Sequence, residues 1–317
     1  MKAAITPLLH AARASSLIPP LLSSARRKGE HGKVLICGGS LEYVGAPFYA
    51  GFATLQTGAD LCWVACAAGA ATPLKALCPE LIVTPLIPDD PSHAAAALLS
   101  LTPVLGRVHA VVVGPGLGRA PGALAFAAAL MAHATSKNLP ILVDGDGLFL
   151  LSQQPHLLRG HGACVLTPNA GEWERLAGLD LGPGLCVLKK GEVDCVVFTG
   201  ANDDGGGGDA AAAEVVGGGS PRRCGGQGDV LAGAVGAFWA WAAAGGHLAA
   251  GADARGVLAA AACGGALLVR TAAAAAFAAK RRAMLTPDVL HALGGAFETT
   301  WPAAEGGAAA AAAPETV

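Results

Sequence analysis

The chain has 317 residues, a formal net charge of −2 and only 14% charged residues. Its length suits one large α/β domain or two small ones with a substantial core, and its near-neutral charge gives no reason to expect a nucleic-acid partner. Its 9 cysteines are scattered without a CxxC pair, which argues against a zinc site and favours reduced, buried thiols.

The N-terminal stretch up to residue 29 is basic and contains no acidic residue before Glu30. This composition is typical of an organelle transit peptide, and a basic segment of the folded domain explains it equally well. We expect residues 1–17 to be a targeting or disordered segment, 18–298 to form one domain, and 299–317 to be a disordered Ala/Gly-rich tail. The expected compartment is the cytoplasm or an organelle (mitochondrion or plastid), and we expect neither secretion nor a membrane span.

Short runs rich in Val, Ile and Leu alternate with helical segments along the chain. The runs end at Gly, Pro, Asn or Asp, a pattern typical of strands in a parallel sheet that is covered on both faces. The predicted strands are KVLICGG, DLCWVAC, LIVTPLI, AVVVGPG, PILVDGDG, CVLTPN and CVVFTG. Helices such as PGALAFAAALMAHATSK connect them. We therefore predict a layered α/β/α domain whose ligands lie beyond the carboxyl ends of the strands.

Two segments of biased composition need separate interpretations. The longest uncharged apolar run, Val230–Gly246, consists mostly of Ala and Gly, which supply little transfer energy, so it predicts a buried helix rather than a membrane span. The segment GGGGDAAAAE, Gly205–Glu214, is predicted to be a hairpin connection with a flexible insertion.

The stretch GGSPRRCGGQGDVLAG, Gly218–Gly233, predicts an anion site. A glycine-rich loop that runs into a helix leaves amides unpaired at the positive end of the helix dipole, and these bind phosphate. We expect the helix to begin near Gly228. Arg222 and Arg223 could add positive charge toward nucleotide phosphates.

Asp229 is the unusual member of this stretch, because a phosphate ligand repels a carboxylate. It could be a plain cap of the helix, or a general base that removes a proton from a hydroxyl attacking phosphorus. The spacing is not that of a Walker motif, and the glycines of GPGLG, Gly114 to Gly118, do not have the spacing of a dinucleotide-binding fingerprint.

SPRRCGGQGDVLAG resembles the signature of the NAD(P)H-hydrate dehydratases, a branch of the ribokinase-like superfamily. Other blocks match in the expected order over roughly residues 18–298: KGEHGKVLICGGSLEYVGAPFYA, TGADLCWVAC, PELIV, VVVGPGLGR, PILVDGDGL, LTPNAGEWERL and KKGEVDCVV. The resemblance implies a three-layer α/β/α ribokinase-like fold around a central, mostly parallel sheet.

The resemblance also implies an activity. ATP (or ADP) with Mg²⁺ would phosphorylate the added hydroxyl of hydrated NADH or NADPH, NAD(P)HX, and loss of phosphate would restore NAD(P)H. No nucleic-acid or membrane partner is expected, and self-association stays open. The alternatives are a small-molecule kinase of the same superfamily, sugar-like or for a vitamin precursor, and a catalytically dead nucleotide-binding homologue.

Site residues follow from the matched motifs. Asp229 would be the catalytic base, with Gly226 and Gly228 in the anion hole. The nucleotide-binding residues would be Lys190, Gly191, Glu192, Val193, Asp194, Gly219, Ser220, Pro221, Arg222, Arg223, Cys224, Gly225, Gly226, Gln227 and Gly228. The NAD(P)HX-binding residues would be Gly116, Gly118, Asn169, Ala170, Gly171, Glu172, Trp173, Glu174, Arg175 and Asp229.

Several of these residues have a purely structural alternative. Lys190 could be a solvated lysine at a strand end, Gly116 and Gly118 could form a tight turn, and Asn169 could cap the following helix. Asp144 and Asp146, in VDGDG, could orient magnesium or water or simply form a turn.

Two further expectations rest on the resemblance. His31, Tyr43 and Gly45 are expected near the nicotinamide pocket. Between LTPNAGEWERLAGL and VLKKGEVD the family normally has a further helix, whereas only DLGPGLC connects the two segments here. The missing helix would expose apolar surface unless something else covers it.

Overall fold

The computed structural model describes residues 13–20, 29–200, 210–215, 218–248 and 253–302. Most of the expected N-terminal segment, the glycine run at 205–208 and the tail from residue 303 onward lie outside these ranges. Within the segment 1–17, Ala14 and Leu17 are buried in the hydrophobic core. The folded structure therefore includes residues that precede position 18.

A nine-stranded sheet forms the centre of the described structure, with the strand order β3-β2-β1-β4-β5-β6-β7-β8-β9. Its strands are β1 Lys33–Cys37, β2 Leu61–Ala67, β3 Ile82–Ile87, β4 Ala110–Val113, β5 Ile141–Val143, β6 Cys164–Leu166, β7 Cys186–Lys189, β8 Asp194–Phe198 and β9 Ala210–Val215. Strands β1 to β7 pair in parallel, and β8 and β9 extend the sheet antiparallel beyond β7. The predicted mostly parallel sheet is confirmed.

Helices cover both faces of the sheet. They are α1 Gly45–Thr57, α2 Ala68–Leu77, α3 Ala94–Leu105, α4 Pro121–Lys137, α5 Gly145–Gln153, α6 Ala170–Leu176, α7 Gln227–Ala244, α8 Ala254–Lys280 and α9 Thr286–Thr300. Alternate residues of β4 point to opposite cores: Ala110 and Val112 pack with α1, α2, α7, α8 and α9, whereas Val111 and Val113 pack with α3 to α6. The three-layer α/β/α architecture is therefore confirmed.

Helix α7 is the buried helix that the sequence predicted. It begins at Gln227, one residue before the expected start, and nearly all its residues from Val230 to Trp241 are fully buried. Gly233 allows close packing on α1, because a Cβ there would overlap the backbone of Ala50. Thr54 of α1 donates its hydroxyl to the carbonyl of Gly233 at 3.1 Å. This packing fixes where the N-terminus of α7 lies.

Among the described helices, one stretch, Ala254–Ala283, is long and apolar enough to cross a membrane, and 72% of its apolar window is buried inside the fold. Core packing thus accounts for its hydrophobicity. The alanine run expected in a hairpin connection also has a defined place: Ala210–Val215 forms β9, which pairs antiparallel with β8.

Leucines in and beside the short connection between α6 and β7 pack into the hydrophobic core. Leu176, Leu181 and Leu185 are all buried, and they pack in the core that α4 and α5 cover. The large hydrophobic side chains that are exposed in the described ranges do not include any from residues 177–185. The expected exposure of apolar surface at the missing helix is therefore not found.

All 9 cysteines lie in the described ranges and none of them forms a disulfide, and seven of them are buried. Burial raises the pKa of the Cys37 thiol to about 12 and that of Cys66 to about 11. These thiols act as small core residues, in agreement with the sequence interpretation.

Candidate active site

A cleft of about 690 Å³ lies beyond the carboxyl ends of β4, β5 and β6. Its lining includes residues that follow each of these strands: Gly116, Gly118, Arg119, Asp146, Glu172 and Arg175. This is the edge at which ligands of an open parallel sheet bind. Four of the six were predicted from the sequence as substrate-binding residues, and Arg119 was not.

The loop after β4 is both a turn and a wall of the cleft. Gly116 and Gly118 have φ angles of 59° and 76°, and residues that carry a side chain rarely adopt such positive values. A Cβ on Gly116 would lie 2.8 Å from the carbonyl oxygen of Tyr43. The structural and functional interpretations of these glycines are therefore compatible.

Asp146 holds this loop in place. Its Oδ2 accepts a hydrogen bond from the amide of Gly118 at 3.0 Å, and its Oδ1 accepts one from Nε of Arg119 at 3.0 Å. The Arg119 guanidinium also stacks 4.0 Å from the centre of the Phe149 ring. Asp146 thus positions one wall of the cleft, a role beyond forming a turn.

The segment after β6 begins with a capping box. Asn169 Oδ1 accepts from the amide of Glu172 at 2.9 Å, and Glu172 Oε2 accepts from the amide of Asn169 at 2.8 Å, so Asn169 does cap α6. The box fixes the Glu172 carboxylate at the cleft wall. Arg175 also lines the cleft, Trp173 packs under the ammonium of Lys189 at 4.3 Å, and Ala170, Gly171 and Glu174 are exposed.

Lys190 lies directly after β7 and contacts two acidic side chains, Asp144 and Glu172. Its ammonium donates to Asp144 Oδ1 at 2.7 Å and lies 3.9 Å from Glu172 Oε2. Asp144 also accepts from the Thr167 hydroxyl at 2.9 Å. Burial lowers the pKa of Lys190, but the charges of Asp144, Glu172 and Asp229 outweigh it and raise the pKa overall. Lys190 is therefore a partly buried cation and not a solvated lysine at a strand end.

The rest of the Lys190–Asp194 segment is a turn. Gly191, Glu192 and Val193 are exposed, whereas Asp194 is buried. Asp194 accepts from the amide of Gly191 at 3.0 Å and from Nε of Arg270 at 2.8 Å. The carboxylate of Asp194 is therefore already occupied by protein partners.

The glycine loop ends at the N-terminus of α7 with free amides. Within the described ranges, the amides of Gly226, Gly228 and Asp229 donate no hydrogen bond, and no side chain caps the helix. Gly226 has a φ of 100°, and a Cβ there would lie 2.7 Å from the Tyr49 ring. Unpaired amides at a helix N-terminus form an anion site.

The segment between α8 and α9 holds the loop from the other side. The Met284 carbonyl accepts hydrogen bonds from Nε of Arg222 at 2.8 Å and from the thiol of Cys224 at 3.0 Å. The Thr286 hydroxyl donates to the Gly225 carbonyl at 2.6 Å. Ser220 accepts from the amide of Arg222 at 3.0 Å. Pro221 and Arg223 remain exposed, and Gly219 and Gln227 are partly buried.

Asp229 lies in the first turn of α7, as predicted. Burial and the nearby negative charge of Asp144 raise its pKa to about 7, although Lys190 acts in the opposite direction. A carboxyl group with a pKa near neutrality can take up and release a proton under physiological conditions. This is the property required of a general base.

Lys190 connects the glycine loop to the cleft. A Cβ on Gly228 would lie 3.3 Å from the Lys190 ammonium, which in turn is 3.9 Å from Glu172 at the cleft wall. Asp229 does not itself line the cleft. The structure thus brings the predicted nucleotide and substrate residues to two adjacent regions that share Lys190.

Comparison with known proteins agrees with this arrangement. The sequence profile of the NAD(P)H-hydrate dehydratases matches residues 34–294. The chain belongs to the NAD(P)H-hydrate dehydratase family. An ATP-dependent (S)-NAD(P)H-hydrate dehydratase of Ixodes scapularis is 42% identical over 231 residues, covering 71% of this chain and 72% of the relative. The enzyme of the same name from Drosophila melanogaster is 37% identical over 234 residues, covering 71% and 74%.

Solved structures share the fold of this family member. A Streptococcus mutans protein superposes with a TM-score of 0.69 at 21% identity, covering 92% of this chain and 98% of that one. The ADP/ATP-dependent NAD(P)H-hydrate dehydratase of Bacillus subtilis, co-crystallized with ATP/Mg²⁺, gives 0.65 at 18% identity, covering 92% and 97%. At these identities the superpositions establish the ribokinase-like fold.

His31 lies apart from Tyr43 and Gly45, the two residues with which the sequence analysis grouped it. His31 precedes β1, and its carbonyl accepts from the Trp241 indole at 2.7 Å, at the amino edge of the parallel sheet. Tyr43 follows β1 and lines the cleft at the carboxyl edge, and Gly45 begins α1 beside it. His31 therefore lies at the amino ends of the strands, whereas the cleft lies beyond their carboxyl ends.

Several residues that support the site were not predicted from the sequence. Arg119, Thr286 and Arg270 act through partners that are distant along the chain, and each could be mistaken for an ordinary surface or core residue. A signal was available only for Arg119, which follows GPGLG directly.

Proposed function

We propose that this chain is an ATP-dependent (S)-NAD(P)H-hydrate dehydratase that restores NADH or NADPH from the hydrated form. One observation carries the proposal: a carboxyl group with a pKa of about 7, Asp229, lies in the first turn of a helix whose leading amides have no protein partner in the described ranges. A base and an anion site are thereby combined at one point.

Asp229 takes the proton from the ring hydroxyl of NAD(P)HX in the first step. The hydroxyl oxygen then forms a bond to the γ-phosphorus of ATP while the bond to the β,γ-bridging oxygen breaks, so ADP leaves. The amides of Gly226 and Gly228 can donate to the oxygens on which negative charge accumulates.

The second step is elimination. Phosphate leaves with the electrons of the carbon–oxygen bond, and a neighbouring ring carbon releases a proton to water, so that the electrons of its carbon–hydrogen bond form the double bond of the dihydropyridine. Hydroxide is a poor leaving group and phosphate is a good one, so ATP makes the dehydration favourable. Lys190, 3.9 Å from Glu172, offers positive charge near the departing phosphate.

Magnesium fits this site as a companion of the nucleotide phosphates. Among the described residues, no group of three or more His, Cys, Asp or Glu side chains is arranged to hold a metal ion, and Mg²⁺ typically uses one or two carboxylates plus phosphate oxygens and waters. Glu172 would be the carboxylate for this contact, since Asp229 is assigned as the base. A bound ion would supply charge neutralisation on the transferred phosphoryl group.

The cleft beside Glu172 is the proposed binding site of NAD(P)HX. Its volume of about 690 Å³ is within the range of ligand pockets. Arg119 and Arg175 offer cationic groups to the phosphates of the dinucleotide, while Tyr43 offers an aromatic surface. The names of the relatives favour ATP over ADP as the phosphoryl donor.

Purified protein should be incubated with hydrated NADH, magnesium and either ATP or ADP, and recovery of the NADH absorbance band should be followed. We expect recovery with ATP and release of equal amounts of ADP and phosphate. Phosphorylation of an unrelated alcohol without NADH recovery would point to a small-molecule kinase. Absence of turnover with retained ATP binding would point to a catalytically dead homologue.

A further inference from the structure

Arg270 of α8 bonds to both segments that the sequence assigned to nucleotide binding. Its Nε donates to Asp194 Oδ2 at 2.8 Å, and one terminal nitrogen donates to the Gly191 carbonyl at 3.0 Å. The other terminal nitrogen lies 3.4 Å from the Gly218 carbonyl. One guanidinium group thus spans the Lys190–Asp194 turn and the beginning of the glycine loop.

Arg270 is a charged residue that follows a buried, apolar stretch of α8. The preceding residues Leu267, Leu268 and Val269 are buried, and the side chains of Arg270 and Asp194 are only 15% and 9% exposed. A buried ion pair often contributes little to folding stability compared with apolar residues of similar size. The three contacts of its guanidinium with two separate segments therefore argue for a positioning role.

The contacts act on the backbone next to the proposed reaction site. Gly191 directly follows Lys190, and the same turn is closed by the bond from the Gly191 amide to Asp194 at 3.0 Å. At the glycine loop, a Cβ on Gly219 would lie 3.2 Å from the nearer terminal nitrogen of Arg270. The guanidinium therefore fits closely against both backbones.

We propose that Arg270 is a positioning residue that clamps the Lys190–Asp194 turn to the Gly218–Gly228 loop and thereby sets the affinity for ATP. Asp194 acts through this clamp, as the anionic partner of Arg270, and does not touch the nucleotide. The inference rests on the proposed function, because it takes ATP as the ligand of these two segments.

The planar guanidinium reaches three separate acceptors from three different nitrogens, whereas a lysine offers all its N–H donors from a single nitrogen on a flexible stem. In Arg270→Ala the Lys190–Asp194 turn and the glycine loop are no longer linked before ATP binds. Part of the binding free energy of ATP is then spent on ordering them. We expect KM for ATP to rise by about tenfold or more, KM for hydrated NADH to stay within about twofold, and Arg270→Lys to lie between wild type and Ala. Asp194→Asn should reproduce the effect on ATP.

The experiment measures both KM values, kcat and ATP affinity by calorimetry for these variants. Arg255→Ala is the matched control, because Arg255 is an exposed arginine near the start of the same helix and should leave both KM values unchanged. Active-site titration corrects for misfolded protein. If Arg270→Ala does not fold, Arg270→Lys and Asp194→Asn decide the question by the same selective rise in KM for ATP.

An unchanged KM for ATP in folded Arg270 variants would overturn the clamp while leaving the proposed function intact. A parallel rise in both KM values would also overturn it, because it would indicate general loosening of the site. Failure of the wild-type protein to bind ATP would overturn the proposed function and the clamp together.

Discussion

The ammonium group of Lys190 lies 2.7 Å from Oδ1 of Asp144, although 46 positions separate the two residues in the sequence. The pair forms where the carboxyl ends of β5 and β7 meet the N-terminus of α7. Both charges act on Asp229: Asp144 raises its pKa, and Lys190 lowers it. The proton affinity of the proposed base is thus set by a pair of residues on two other elements.

Substitutions in this pair should shift the pH dependence of activity in opposite directions. A base must be deprotonated to act, so kcat/KM should rise with pH up to about 7 in the wild type. Lys190→Met removes a positive charge and should move this rise to higher pH, with at least about a tenfold loss of kcat. Asp144→Asn should move it to lower pH. Profiles of kcat/KM against pH test this, and shifts in the same direction would contradict it.

Asp229 should make the folded protein less stable as pH rises. The pKa of its carboxyl is about 7 in the folded protein and 3.8 ordinarily, so the folded state binds the proton more tightly and stability falls between about pH 4 and pH 7. Asp229→Asn removes this effect. We expect the variant to be more stable than wild type at pH 8, by up to about 4 kcal/mol, and little changed at pH 4.

Urea unfolding of both proteins at the two pH values measures this difference. Asp89→Asn, at an exposed aspartate, controls for the loss of one negative charge. A stabilisation by Asp229→Asn that is the same at pH 4 and pH 8 would show that the carboxyl is not held at a raised pKa.

Two adjacent glycines of the loop should differ sharply in their tolerance of a methyl group. At Gly226 the φ is 100° and a Cβ would lie 2.7 Å from the Tyr49 ring, whereas at Gly225 nothing lies within 4 Å. Gly226→Ala should therefore displace the loop, reduce ATP affinity by about tenfold or more and lower stability by about 1–3 kcal/mol. Gly225→Ala is the matched control and should retain binding. Equal ATP affinities of the two variants by calorimetry would contradict the proposed loop geometry.

A substitution of Asp146 should weaken binding of the hydrated dinucleotide and leave binding of ATP unchanged. Its carboxylate holds both the Gly118 amide and the Arg119 side chain at the cleft wall. In Asp146→Asn one of these acceptors is lost, so we expect KM for hydrated NADH to rise by roughly three- to tenfold with KM for ATP unchanged. Steady-state kinetics with each substrate varied in turn measure this. A selective effect on ATP would place the dinucleotide elsewhere.

The sequence predicts the sheet well because its strands are continuous apolar runs. Such a run as AVVV of β4, buried on both faces, has few other interpretations once glycines and prolines mark its ends. The position of Asp229 was also predictable, because a glycine-rich loop before an apolar helix fixes where the first turn falls.

Contacts between distant residues could not be predicted from the same patterns. Arg270 and Asp194 are 76 positions apart, and Thr286 and Gly225 are 61 apart, so their bonds depend on how α8 and α9 pack. The leucines that replace the missing helix likewise become recognisable only when Leu181 and Leu185 are seen in the core.

The most direct test of the central claim is the ATP-driven recovery of NADH absorbance by wild-type protein and Asp229→Asn, with ATP affinity measured on both. We predict recovery by the wild type, a loss of about a hundredfold or more in kcat for the variant, and ATP affinity within a few-fold of wild type. Full activity of Asp229→Asn would contradict the assignment of Asp229 as the base that activates the hydroxyl.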